Sequence, residues 1–134
     1  MSPGGEATAP SAFDALGGET AVRDLVDRFY DLMELDAAYS AVRRLHPGSL
    51  AGSRDKLHWY LCGWLGGPQH YVDRFGHPRL RARHLPYAIG LAERDQWLAC
   101  MRQAMIEQHI DPDLAEGLHR AFAGTADWMR NRVD

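Results

Sequence analysis

Apolar residues recur at helical spacing along most of this chain. Val22, Leu25, Val26, Phe29, Leu32 and Met33 fall three and four residues apart, which marks one buried helix face, and Thr20 stands where a side chain would cap it. A shorter helical turn is expected over 36–44, ended by Pro47 and Gly48 in "LHPG". An amphipathic run begins at Ser49 and sets Leu50, Leu57, Tyr60, Leu61 and Trp64 on one side, and "GGP" at 66–68 stops it. Leu91, Trp97, Leu98, Met101 and Met105 mark another helix, broken by "DPD" at 111–113. Leu114, Leu118, Phe122, Trp128 and Met129 mark the last. No stretch alternates as a strand does, and no internal repeat is visible. The pattern predicts an all-α fold.

The middle of the chain breaks this regularity. Between two good helices, residues 69–90 are interrupted at Gly76–His77–Pro78 and again at Pro86, and hold only a short helix. A plain helical bundle joins its helices by about 2–8 residues, and a longer irregular connection is usually functional. The expectation is that something other than regular side-chain packing fills the space beside this segment.

Composition narrows the class. The length of 134 residues suits one domain, read as residues 12–134 after a disordered lead-in over 1–11. With 46% hydrophobic residues a real core can form, and no apolar run approaches the roughly 20 residues that span a bilayer. A net charge of −3 argues against a protein built to hold nucleic acid. "MSPGGEATAP" has neither the basic nor the apolar segment of a secretion signal. Cys62 and Cys100 form no paired motif and read as buried thiols of a reducing compartment, so a cytoplasmic location is expected. Cys100, one turn from Trp97, is expected at the floor of any pocket beside that residue.

The candidate chemistry lies in "GHPRLRARHLPY", residues 76–87. Pro86 disfavours helix at Leu85, so a helix from about Arg79 should end near His84, where backbone carbonyls lack partners. The Nδ1–H of His84 could donate to one of them, such as that of Leu80, leaving Nε2 aimed at a metal. A capping or surface histidine is the plain alternative. Zinc needs clustered ligands, but Gly76 and Pro78 disrupt the alignment of His70, His77 and His84. A di-iron bundle needs two Glu-x-x-His pairs and the chain has one, Glu116–His119. Haem iron needs only one axial histidine from the protein, because the porphyrin supplies the rest.

"GHPRLRARHLPYAIG" and "ERDQWLACM" resemble the proximal region of the second group of truncated haemoglobins, globins with a two-over-two helical sandwich. "FDALGGETAVRDLVDRFYDLM", "RRLHPGSLAGSRDKL" and "GWLGGPQHYVDRFGHP" agree in order and spacing, so the likeness runs from about Ala12 to Met129. The resemblance implies haem b with His84 as the proximal iron ligand. It places Tyr30, Ser53, Leu57 and Trp97 on the distal side, Tyr87 beside the haem on the proximal side, and Arg81 or Arg83 near a propionate. The family usually carries Tyr or Phe where this chain has His46. That residue either faces the ligand, bringing a group that titrates near neutrality, or packs on the haem edge toward solvent.

The implied function is binding of O2, CO, NO or similar ligands in a polar pocket, with O2 delivery or O2-linked redox chemistry as the output and an unidentified reductase as partner. Hydrogen bonds to a ligand that gains negative charge contribute about 1.5–3 kcal/mol, so several donors should slow O2 release. A peroxidase-like or nitric-oxide-oxidising enzyme is the alternative. A cofactor-free helical interaction domain is the alternative from another class. Either a monomer or a homodimer is compatible with the sequence.

Overall fold

The structure, a computed structural model, describes residues 11–133. Residues 1–10, most of the expected lead-in, lie outside them. The described chain runs α1 (Ala12–Leu16), α2 (Glu19–Leu35), a 3-10 turn (Ala37–Tyr39), α3 (Ser40–Arg43), α4 (Ala51–Trp64), α5 (His70–Phe75), α6 (Leu80–His84), α7 (Leu91–Glu107) and α8 (Pro112–Trp128). Every regular element among the described residues is helical, as the apolar spacing predicts.

Two details of helix initiation show how the sequence sets the frame. Thr20 does not cap α2. The helix starts earlier, at Glu19, with Gly18 in the capping position and no side-chain cap. The reason lies in the two glycines between α1 and α2: Gly17 and Gly18 take φ of 120° and 84°, a left-handed reversal that glycine adopts without strain. At α8, Asp111 caps conventionally, accepting from Leu114 N at 3.1 Å, with Pro112 in the first turn.

The core is built on α2 and α7. Val22, Leu25, Val26, Phe29 and Met33 of α2 are buried with Cys100, Met101, Ala104 and Met105 of α7. Burying each large side chain contributes about 1.5–3 kcal/mol. Helix α2 also packs on α4, and α7 on α8, so two helix pairs cross. Helix α1 seats on the turn after α4, where Phe13 N donates to Leu65 O at 2.9 Å. A Cβ at Gly67 would lie 2.5 Å from the Phe13 ring, so only glycine permits that approach. No helix among the described residues is long and apolar enough to cross a membrane.

The irregular middle resolves into two short helices, α5 and α6, that stay outside the crossed pairs. Helix α5 packs on α4, and α6 buries no residue of its own. The space between α4, α6 and α8 is left to a cavity.

Candidate functional site

That cavity has a volume of about 590 Å³, within the range of about 300–1,000 Å³ that small-molecule sites occupy. One wall comes from α2, the 45–49 loop, α4 and α7, and brings Tyr30, His46, Ser53, Leu57 and Trp97 together. The other comes from α6 and the residues after it, with His84, Tyr87 and Ile89. Phe122 and Met129 line it from α8 and its end.

His84 sits in the last turn of α6. Its Nδ1 lies 2.6 Å from the Leu80 carbonyl, which accepts the Nδ1–H and orients the ring. The other nitrogen, Nε2, then carries a lone pair. The backbone that delivers this residue is held by polar contacts. Arg79 enters α6 with φ of 48°, a conformation rare outside glycine. Arg79 N donates to His77 Nδ1 at 3.0 Å, and Arg83 Nε to Pro78 O at 2.7 Å. After the helix, Asn131 reaches back from the C-terminal segment: its Nδ2 donates to Tyr87 O at 2.7 Å and to His84 O at 3.3 Å, and its Oδ1 accepts from Ile89 N at 2.9 Å.

The opposite wall is aromatic and polar. Phe29 packs edge-on against both Tyr30 and Trp97, with ring centroids 4.9 and 5.1 Å apart, and Phe122 meets Trp97 at 5.5 Å. These contacts hold the two donor-bearing rings against the cavity. Burial pushes the Tyr30 phenol well above its usual pKa, against the pull of Arg54, so the hydroxyl keeps its proton. Neither the Tyr30 hydroxyl nor the Trp97 indole N–H has a hydrogen-bond partner among the described residues, so each is available to a ligand.

His46 lines the cavity and is half-buried. Its ring stands edge-on to Tyr30 at 5.7 Å, and its Nδ1–H donates to Val42 O at 2.9 Å. Arg43 secures the loop that carries it, donating to Pro47 O and Gly48 O at 2.9 Å each while pairing with Glu34. Burial lowers the His46 pKa, and the Arg43 charge adds to that, despite the bond to Val42. At neutral pH the imidazole is therefore uncharged and presents Nε2 as an acceptor. It does not add a third donor to Tyr30 and Trp97.

The expected arginines separate. Arg83 lines the cavity, whereas Arg81 turns away to donate to Trp128 O and Arg130 O at 2.6 and 3.1 Å and does not line it. Lys56 of α4 also lines the cavity, and neither it nor Arg83 forms an ion pair among the described residues. Tyr87 lines the cavity while remaining 46% exposed. Cys100 is not at the pocket floor. It is fully buried and its thiol donates to Phe29 O at 3.2 Å. Sequence reasoning missed Lys56 as a pocket residue and Asn131 as the tie on the His84 segment. Lys56 lies one residue before Leu57, a position that could have suggested it; a contact 47 residues away in sequence left no local signal for Asn131.

The residues present suit a haem. A largely apolar slot, a histidine at the end of α6 with an oriented ring and a free Nε2, and two cations without ion pairs meet what a porphyrin with two carboxylates asks for. The comparisons with known proteins agree. The bacterial-like globin family matches residues 11–131. The group 2 truncated haemoglobin YjbI of Bacillus subtilis is 35% identical over 117 residues, 87% of this chain and 86% of the relative. Among solved structures, the group II 2-on-2 haemoglobin from the plant pathogen Agrobacterium tumefaciens aligns with a TM-score of 0.90 at 41% identity, covering 94% of this chain and 98% of its own. The truncated oxygen-avid haemoglobin from Bacillus subtilis aligns with a TM-score of 0.83 at 34% identity, covering 91% and 100%. The chain belongs to the bacterial-like globin family, as a two-over-two truncated haemoglobin of the second group.

Proposed function

We propose that the cavity holds haem b with His84 Nε2 as the axial ligand of the iron, and that the protein binds O2 and other diatomic ligands in the space facing Tyr30 and Trp97. The observation that carries this reading is the His84 ring, oriented by Leu80 O with Nε2 left free beside a haem-sized slot. Haem, when bound, supplies an iron that takes up diatomic gases at its open position. Arg83 and Lys56 supply cations for the propionates, in preference to Arg81. The Tyr30 hydroxyl and Trp97 indole supply donors to a ligand that gains negative charge. One such bond contributes about 1.5–3 kcal/mol, a factor of roughly ten to a hundred in ligand release. A relative is described as oxygen-avid, and the same property is expected here.

Slow release favours O2-linked redox chemistry, fed by a reductase, over simple delivery. Free thiols at Cys62 and Cys100 go with a reducing, cytoplasmic setting. A cofactor-free interaction domain would fill the space between α4 and α6 with side chains. The test is to measure O2 release from the purified ferrous protein by rapid mixing. An intense haem absorption with release much slower than from an apolar pocket supports the proposal, and a colourless protein or fast release overturns it.

One observation favours a second reading, peroxide chemistry. Neutral His46 offers Nε2 as a proton acceptor inside the cavity, the role a base needs toward an incoming peroxide. Against it, His84 donates to a carbonyl and not to a carboxylate, which leaves the ring less basic. Turnover of peroxide with a reducing substrate, abolished in His46→Leu, would favour this reading.

A further inference from the structure

On the side of α4 away from the haem cavity, three elements bring four metal-ligating side chains together. Glu19 opens α2, His58 and Cys62 lie one turn apart on α4, and His70 opens α5. One donor atom from each of Glu19, Cys62 and His70 lies within 4.8 Å of the other two. Glu19 Oε1 is 2.6 Å from His70 Nε2 and 3.7 Å from His58 Nε2. Cys62 Sγ is 3.8 Å from His58 Nε2 and 3.9 Å from its Nδ1. None of the four lines the haem cavity.

We propose that Glu19, His58, Cys62 and His70 form a second metal site, which takes a zinc-class divalent cation and clamps the start of α2 to α4 and α5. The donor set selects the metal: thiolate with imidazole suits zinc, whereas calcium and magnesium require oxygen. Zinc bonds of about 2.0–2.3 Å in a tetrahedron place ligand atoms roughly 3.3–3.8 Å apart. The contacts of His58 already have that spacing. The Glu19–His70 contact must open by about 1 Å, and the His58 ring must turn about χ2, since Sγ is nearly equidistant from its two nitrogens. Spacing of four on one helix is the same device by which helical histidine pairs hold zinc.

The local charges fit a cation. Arg23, whose charge reaches His58, is engaged by Asp27 and Asp55. Glu19 pairs only with the two histidines among the described residues. Burial and the Arg23 charge hold His58 in the neutral form that ligates. The Cys62 thiol is pushed up to about 11 by burial and by Glu19, so it stays protonated until a cation enters. On binding, the S–H bond breaks, its proton passes to solvent, and the sulfur keeps the electron pair for the metal. A Glu19–His70 pair alone would need neither the buried thiol nor the second imidazole beside it.

The test uses the untagged, haem-loaded chain, stripped with a chelator and titrated with zinc sulfate against a chromogenic chelator, with bound metal counted after gel filtration. The expected result is one zinc per chain at about micromolar affinity or tighter. His70→Gln and Glu19→Gln should each weaken it at least tenfold, and Cys62→Ser further, with the haem absorption unchanged in the first two. Those two lie at helix starts and neither is buried, so their result stands even if Cys62→Ser folds poorly. Failure of the wild-type chain to retain zinc, or undiminished affinity in His70→Gln and Glu19→Gln, would overturn the proposal.

Discussion

Helices α2 and α4 are of similar length, yet they bury their residues differently. Seven residues of α2 are buried, and its apolar face meets α4 and α7 side chain to side chain. Only Leu61 and Cys62 of α4 are buried, both near its C-terminal end. Farther toward its start, Ser53 and Leu57 face a cavity. An apolar stripe that meets another helix is finished by packing. One that meets empty space needs a ligand to complete it. The same chain thus holds a self-sufficient seam and a wall that lines a cavity.

Truncation on the seam should produce the largest effect. Phe29→Ala, at a fully buried ring between Tyr30 and Trp97, should cost about 3–5 kcal/mol in urea unfolding of protein prepared without haem. Leu57→Ala on the cavity wall should cost less than half of that under the same conditions. Equal losses would erase the distinction between seam and wall.

The next effect is on ligand release. Trp97→Phe removes the indole N–H but keeps an aromatic ring against Phe29 and Phe122, so rapid mixing should show O2 leaving about tenfold faster. An unchanged rate would make Trp97 a packing residue only.

A smaller loss should follow from untying the segment after His84. Asn131→Ala removes bonds to Tyr87, His84 and Ile89 and should destabilise by about 1–2 kcal/mol in urea titration. Amide exchange should rise over residues 84–89 but not in α2. Faster exchange spread evenly over the chain would deny Asn131 a local role.

The smallest effect concerns pH. Burial holds the His46 imidazole below its ordinary pKa, so it is neutral at pH 7. Below its depressed pKa it gains an Nε2–H and becomes a donor, so O2 release should slow with acid, and this slope should vanish in His46→Phe. The native state also resists that proton while the unfolded chain accepts it. Stability should therefore fall as pH drops below about 6.5 and be unaffected by His46 well above it. A flat release profile from pH 5 to 8 would place His46 away from the ligand.

The seam could be read directly from the sequence. The spacing of Val22 to Met33 shows a buried face because every residue on it meets protein. The contact between His84 Nδ1 and the Leu80 carbonyl was also legible, since Pro86 ends the helix just past His84 and leaves the ring one turn from that carbonyl. Other features depend on tertiary placement. The start of α2 was misread at Thr20 because the Gly17–Gly18 reversal carries the helix earlier than a side-chain cap would. Arg81 and Arg83 differ by two residues on a helix, and only the position of the Trp128–Arg130 carbonyls decides which one turns away. The orientation of His46 depends on Val42 O, one helical turn back, and on the Arg43 bonds that shape the loop. Glu19 is separated by 51 residues from His70, beyond any spacing rule.

His84 carries the proposed iron ligation. In His84→Gly, absorption spectra of the ferric, ferrous and CO-bound protein should show loss of the axial ligand, and added imidazole should restore the wild-type ferrous spectrum. A ferrous spectrum already identical to wild type without imidazole would contradict the assignment.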